Sequence, residues 1–390
     1  MGTRIRTGSA LLLMGMTTAA AAAPQPDGQI RYRAEQVDEE GFGDKALAAT
    51  VRTQLGVTAP LREGLKGRLE FEDVSVAGSD DYNSTSNGKT GYPVVPDPEA
   101  TEINELYLDW RGEGWGARVG RQALAFDNHR FIGTVKWRQN EQTLDAARLD
   151  ISLGESAELN WVWLDEANRI FGARETPLDD HNSHLGRVSV AGFGQWTGYA
   201  YLLDFPDAPA ASNRTVGLRW TADAVLPEPW GLTLEIADQA DYADGEGNEA
   251  DYYHATGRYQ AGPVAVGLGQ EVLGGDGTYG FSTPLATVHA FNGWADRFLS
   301  TPAEGLEDTY LSLGGKAGGF RLKAVYHTFT ADAADHDFGQ ELDLVAIRPL
   351  SEGLTLVLKY ADYTASDDAG NTGAPARDAT KAWAQLDFRF

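Results

Sequence analysis

The sequence predicts an all-β fold, a transmembrane antiparallel up-and-down β-barrel of about eighteen strands, and three observations carry that expectation. The chain ends in a strand with alternate apolar residues: Ala382, Ala384, Leu386, Phe388 and Phe390 interleave with Lys381, Trp383, Gln385, Asp387 and Arg389. A soluble chain rarely closes on an aromatic residue in such a strand, because free termini fray into water. Runs of the same period recur through the rest of the chain, and tight and long connections alternate between them.

The first strand is expected near 28–38, with Ile30, Tyr32 and Ala34 on one face and Arg31, Arg33 and Glu35 on the other. The second, near 46–58, sets Leu47, Ala49, Val51 and Leu55 against Thr50, Arg52 and Gln54. The third, near 64–75, sets Leu65, Leu69 and Phe71 against Lys66, Arg68, Glu70 and Glu72. The fourth, 102–111, alternates strictly: Leu106, Leu108 and Trp110 against Glu105, Tyr107 and Asp109. Further strands are expected near 115–124, 143–153, 156–165, 184–193, 195–205, 213–222, 230–240, 250–260 and 263–273. The series ends with 306–315, 319–330, 340–349, 353–363 and 379–390. A barrel of this kind has an even count, with sixteen as the alternative. The last strand should pair antiparallel with 28–38, so that Phe388 and Phe390 face lipid and close the barrel.

Tight turns are read at Gly112–Gly114, Gly154–Ser156, Gly192–Gly194 and Ser351–Gly353, and long loops at about 76–101, 125–142, 165–183, 241–250, 274–305 and 364–378. Short turns would face the periplasm, with the long loops outside or folded into the pore. A soluble sandwich or propeller is also strand-rich, but no blade-length repeat is present and nearly every strand keeps an apolar face.

At the N-terminus, Arg4 and Arg6 precede an apolar run at Leu11–Met14 and alanines at Ala19–Ala23. This is the pattern of a signal peptide over 1–23, cut after Ala22 or Ala23, leaving 24–390 as one outer-membrane barrel domain. There is no cysteine, so disulfides and thiolate sites are excluded. The net charge of −25 argues against nucleic acid as a partner. Ten Trp, fifteen Tyr, fifteen Phe and forty-five Gly suit aromatic girdles and many turns.

Acidic residues crowd the expected loops, among them Asp80, Asp81, Asp179, Asp180, Asp241, Asp244, Glu246, Asp335 and Asp337. They form a solvated surface that could also bridge to lipopolysaccharide through divalent cations. The strands differ. Opposite their apolar positions stand Arg31, Arg33, Arg52, Arg68, Arg118, Arg148, Lys359 and Lys381, together with Glu105 and Asp109. A charge facing lipid costs about 2–4 kcal/mol near the midplane, so this face must line a water-filled lumen of mixed sign. Arg121, Arg130, Lys136 and Arg138 lie close together with one acid among them, Asp127. In a loop folded into the pore, these cations either grip a carboxylate-bearing solute or anchor the loop, with Arg130 and Asp127 pairing locally. Trp294, Asp296 and Phe298 in the 283–308 segment point to a second inward or capping loop, whose apolar residues need a surface to bury against.

Three stretches carry a family likeness. One is Arg31-Tyr32-Arg33-Ala34-Glu35-Gln36-Val37-Asp38. The second begins at Val95-Pro96-Asp97-Pro98-Glu99 and includes Gly120-Arg121-Gln122, Asp127-Asn128-His129-Arg130-Phe131-Ile132-Gly133 and Trp137-Arg138-Gln139-Asn140-Glu141. The third runs from Thr283-Pro284-Leu285 through Asn292-Gly293-Trp294-Ala295-Asp296-Arg297-Phe298 to Gly305-Leu306-Glu307-Asp308. Together they resemble the bacterial alginate-export outer-membrane family. The resemblance implies a β-barrel channel with an electropositive pore for an anionic uronate polymer. This chain is short for a dedicated exporter and keeps many lumen carboxylates, so the likeness supports a channel better than it supports alginate.

Enzyme chemistry is not expected. The seven histidines are scattered, no serine sits in a G-x-S-x-G elbow, and His181 with His184 is a weak metal-like spacing in an acidic stretch. No cofactor or metal motif is found. The expected function is passive passage of small hydrophilic solutes, anionic sugar-like ones among them. A dedicated exporter of an acidic exopolysaccharide, or a plugged structural or adhesion barrel, would be the alternatives. Expected partners are outer-membrane lipids and lipopolysaccharide, the barrel-assembly machinery and the solute itself.

Overall fold

The computed structural model describes residues 23–390, apart from 173, 223–224 and 372. Most of the signal-peptide segment read over 1–23 lies outside the described residues. Among those described, eighteen strands form one sheet closed on itself. In chain order they are β1 (Gln25–Glu39), β2 (Ala46–Arg62), β3 (Leu65–Asp81), β4 (Ala100–Gly112), β5 (Trp115–Gln122) and β6 (Thr143–Leu153). Next come β7 (Ala157–Asn168), β8 (Asp180–Gly192), β9 (Gly194–Leu203), β10 (Asn213–Thr221), β11 (Trp230–Asp241) and β12 (Ala250–Ala261). The last six are β13 (Val264–Leu273), β14 (Leu306–Ala317), β15 (Phe320–Thr330), β16 (Asp337–Ser351), β17 (Leu354–Ala365) and β18 (Ala379–Arg389). Each pairs antiparallel with its chain neighbour, and β1 pairs with β18 from Gln29↔Arg389 to Glu39↔Ala379. No sheet edge is left open, which satisfies the backbone inside lipid. Among the described residues, no helix is long and apolar enough to cross a membrane.

The strand count and the closing pair agree with the expectation from sequence. Several strand ends do not: β7 runs to Asn168 and β8 starts at Asp180, within a stretch read as loop, while β2 runs on to Arg62 at its tight turn and β3 to Asp81 at the opposite rim. The β2–β3 ladder continues to Leu47↔Asp81, at the long-loop rim. Lipid no longer imposes alternation at that level, so the period-two signal fades while the hydrogen bonds persist.

The connections sort by rim. Gaps of one to three residues join β2–β3, β4–β5, β6–β7, β8–β9, β12–β13, β14–β15 and β16–β17 at one rim, which also holds both barrel termini. Long loops occupy the other rim, notably 82–99, 123–142, 274–305 and 366–378. The outward face is a belt of exposed apolar side chains, among them Leu106, Val119, Ile236, Leu268 and Leu311. Aromatic pairs gather near the short-turn rim: Phe193 with Trp220, Trp230 with Tyr259, and Phe388 with Phe390 at 5.7 Å. Such rings favour the lipid–water boundary.

The inward face departs from the expectation of a wholly polar lining. On the long-loop half of the barrel, Leu144, Val162, Leu164, Leu185, Tyr199, Tyr201, Tyr252 and Leu273 are buried in one apolar cluster with loop residues Phe126, Phe131, Phe281, Leu285 and Phe298. Loops fold into the lumen and pack on these side chains. The same inward parity thus serves two solvents: water below, and the underside of the loops above.

Candidate functional site

Loop 123–142 crosses the lumen. It leaves β5 with the Ala123 N–H donating to Glu105 at 3.1 Å. Phe131 then packs against Tyr199 at 5.3 Å and Tyr252 at 5.2 Å, on the β9–β12 wall. Arg130 donates to Glu271 of β13 at 2.7 Å. The far end of the loop meets the opposite wall. Arg31 donates to the carbonyls of Lys136 (2.9 Å) and Arg138 (3.3 Å), Arg33 to that of Trp137, and Arg52 to that of Gln139 (3.4 Å). The Gln139 N–H donates to Asp97 at 2.9 Å, and the Glu141 N–H to Glu72 at 3.1 Å. Three strand arginines therefore hold the loop by its carbonyls, which satisfies buried polar groups on both sides.

Loop 274–305 comes in from β13 and meets it. Gly133 N–H donates to the Leu285 carbonyl (2.8 Å), Thr287 N–H to the His129 carbonyl (3.0 Å), and Val135 N–H to Thr287 Oγ1 (3.1 Å). Trp137 stacks on His289 at 4.7 Å with an interplanar angle of 4°. Asp296 accepts from Arg138 at 2.6 Å and from Lys381 at 2.9 Å, and pairs with His289 at 2.5 Å. The Trp294 N–H donates to Asp343 at 3.1 Å, and Phe298 packs among Phe329, Phe338 and Tyr363. Burial alone would raise the Asp296 carboxyl, but His289, Lys381 and Arg138 hold it well below the usual carboxylate range. Burial pushes the His289 imidazole well down, against the pull of Asp296 and with help from Lys359.

The cations read from sequence separate into three groups. Arg130 and Arg138 are buried in the loop anchors just described, so their guanidinium groups are engaged by protein. Arg31, Arg33, Arg52, Arg68, Arg118 and Arg148 are on the inward face. Arg68 is ringed by Asp27 (2.7 Å), Glu105 (2.5 Å) and Glu70. Arg118 and Arg148 stand directly opposite each other on β5 and β6, balanced by Asp109 at 3.3 Å and Asp150 at 2.7 Å. Among the described residues Lys136 pairs with Glu141 alone, at 3.0 Å, and keeps 62% of its side chain exposed.

Two expectations are corrected. Arg121 is not pore-lining: its ladder partner is Leu106 of the lipid-facing belt, and it binds Asp145 at 2.8 Å. The ladders on both sides of β5 run unshifted through Gly120, so Arg121 shares the outward parity of Val119, opposite to that of Arg118. Asp127 does not pair with Arg130; it faces Arg187 at 3.5 Å, while Arg130 takes Glu271. His181 and His184 also fall on opposite faces of β8, and among the described residues no group of His, Asp or Glu is arranged to hold a metal.

Among the described residues, a cavity lies on each side of the crossed loops. The lower, of about 350 Å³, is lined by Arg31, Arg52, Arg68, Lys136, Glu105 and Glu141. The upper, of about 360 Å³, is lined by Arg130, Arg169, Tyr279, Thr283 and Phe298. Sequence reading missed Tyr199 and Tyr252, and placed Glu271 on the inward face without its partner Arg130; all three seat the loop. A usable signal was the run of aromatic residues at inward positions, where a simple aqueous lumen has no use for them.

Residues 14–197 match the family model described as alginate export, so the likeness drawn from the sequence holds over that span; the 283–308 stretch lies beyond it. None of the curated proteins compared matches this sequence. Among solved structures, OccAB4 of Acinetobacter baumannii is similar with a TM-score of 0.71 at 12% identity, covering 95% of this chain and 99% of that one. OccAB2 of the same organism gives 0.71 at 14%, covering 94% and 98%. OccK8 (OprE) of Pseudomonas aeruginosa gives 0.69 at 11%, covering 94% and 98%. At such identities the likeness establishes the fold, that of a porin-type outer-membrane barrel.

Proposed function

We propose that this alginate-export-type barrel is an outer-membrane channel that passes small hydrophilic solutes down their gradient, those bearing a carboxylate ahead of neutral ones. The observation that carries this is the lower cavity. Lys136 hangs into it with most of its side chain in water, beside Arg31, Arg52 and Arg68. A cation on the rim of a low-dielectric passage attracts anions and lowers the barrier to their entry. Glu105 and Glu141 share the cavity and keep the field moderate, which suits fast release.

Size separates this reading from polymer export. A chamber of about 350 Å³ under crossed loops is at the small end of ligand sites and fits a monosaccharide-sized solute. An extended polyuronate would need both loops displaced from their buried anchors. A plugged barrel is the second reading, favoured by the bonds that tie the loops to each other.

Liposome swelling tests the proposal. Vesicles carrying the barrel are expected to admit glucuronate faster than glucose and to exclude an oligouronate of several units. Equal exclusion of all three would leave the plugged barrel, and ready entry of the oligomer would favour export.

A further inference from the structure

Lys359 of β17 points inward and is buried, yet no carboxylate lies within ion-pair distance of it among the described residues. Its Nζ instead donates to His289 Nε2 at 2.6 Å and lies 3.8 Å from the Trp294 ring, 4.2 Å from Trp137 and 5.4 Å from Trp383. Each ring comes from a different segment. Trp137 belongs to loop 123–142, Trp294 and His289 to loop 274–305, and Trp383 is the ladder partner of Lys359 on β18. Trp137 and Trp383 leave their indole Nε1 without a hydrogen-bond partner, so both contribute faces rather than N–H groups. Trp383 also meets Trp137 and His289 edge-on, at 5.8 and 5.9 Å. This is an aromatic cage, of the kind that holds amines by the negative faces of its rings. Here the amine is the protein's own.

We propose that Lys359 is the positioning residue that seats both inward loops, and that the cage it fills accepts a small alkylamine when the lysine side chain is removed. The inference rests on the channel reading, because seating the loops sets the width of the passage. Among the described residues, no other side chain in the lumen touches both loops and the wall by way of three indoles.

The test uses the full-length barrel in planar bilayers. Lys359→Ala is expected to raise single-channel conductance several-fold and to make the open state noisy. n-Propylamine, which replaces the missing Cγ to Nζ atoms, should return conductance toward wild type, while n-propanol should not. The conservative Lys359→Arg variant should behave between the two. Trp294→Ala changes only the loop, so it should widen the channel without rescue by the amine, and it decides the matter if Lys359→Ala fails to reach the membrane. Amide exchange over 133–138 and 287–296, which needs no current, should rise in both variants. Wild-type conductance with wild-type exchange in both would overturn the proposal, and equal rescue by n-propanol would overturn the amine cage. A wild type that never conducts, beside variants with faster loop exchange, would sink the channel reading and leave the seating role standing.

Discussion

Replacing Arg138 with Met keeps the bulk of the side chain and removes its charge. The guanidinium donates to Glu35 at 3.1 and 3.3 Å and to Asp296 at 2.6 Å, and Glu35 is fully buried. Lys381 still reaches Asp296 at 2.9 Å, but Glu35 loses its only ion-pair partner among the described residues. Breaking a buried pair and stranding one charge costs about 3–5 kcal/mol. That cost falls on the docked state of the loops, because the β1–β18 ladder does not depend on Arg138. It corresponds to roughly two to four powers of ten in the docked population. Hydrogen–deuterium exchange over 133–142 in the detergent-solubilised barrel should speed up by about that factor, while the amides of β1 and β18 stay protected. A change below about tenfold would refute the view that this pair holds the loop down. Glu35→Gln leaves an amide that still accepts from Arg138, so its effect should be smaller.

Deleting Phe390 removes two backbone bonds with Gly28, at 3.0 and 3.1 Å, and the ring that covers that glycine. Lower levels of folded barrel in the membrane are expected, with unchanged conductance for those that assemble; normal levels would contradict the closure role. A second expectation concerns pH. A released loop would carry His289 at its ordinary value near ~6.5, whereas burial pushes the docked imidazole well down. Docking is therefore undiminished above that value and weakens by about 1.4 kcal/mol per unit as pH falls below it, until the docked value is reached. The contribution of Asp296 has the ordinary carboxylate sense: present at neutral pH, and lost only as pH falls through its depressed value. Gating noise in bilayer recordings should stay level from pH 8 to about 6.5 and grow from there to about pH 5, and a flat profile throughout would contradict the loop latch.

The barrel was legible because lipid is a strict selector. It forces one face of each strand to be apolar, and that requirement repeats along the chain, from Ile30 and Tyr32 to Phe388 and Phe390. Arg121 misleads because it neighbours the loop cations in sequence, yet three residues from inward-facing Arg118 it takes the opposite face of β5. The loop anchors escaped for a different reason. Arg130 and Glu271 are 141 residues apart, and Arg138 and Asp296 are 158 apart. No local pattern announces such a pair, and the one nearby acid, Asp127, invited the wrong partner. The inward apolar patch around Tyr199, Tyr201 and Tyr252 carries the parity of the lumen face, so only the loops reveal why it is dry.

The most direct test is the reversal potential of single channels under a potassium chloride gradient, for the wild type and for Lys136→Gln. The wild type is expected to reverse on the anion-selective side. Lys136→Gln, which removes an exposed loop cation from the lower cavity and leaves the buried arginine anchors intact, should shift reversal toward zero. Cation selectivity in the wild type, or anion selectivity that Lys136→Gln leaves unmoved, would contradict a passage governed by the lower cavity.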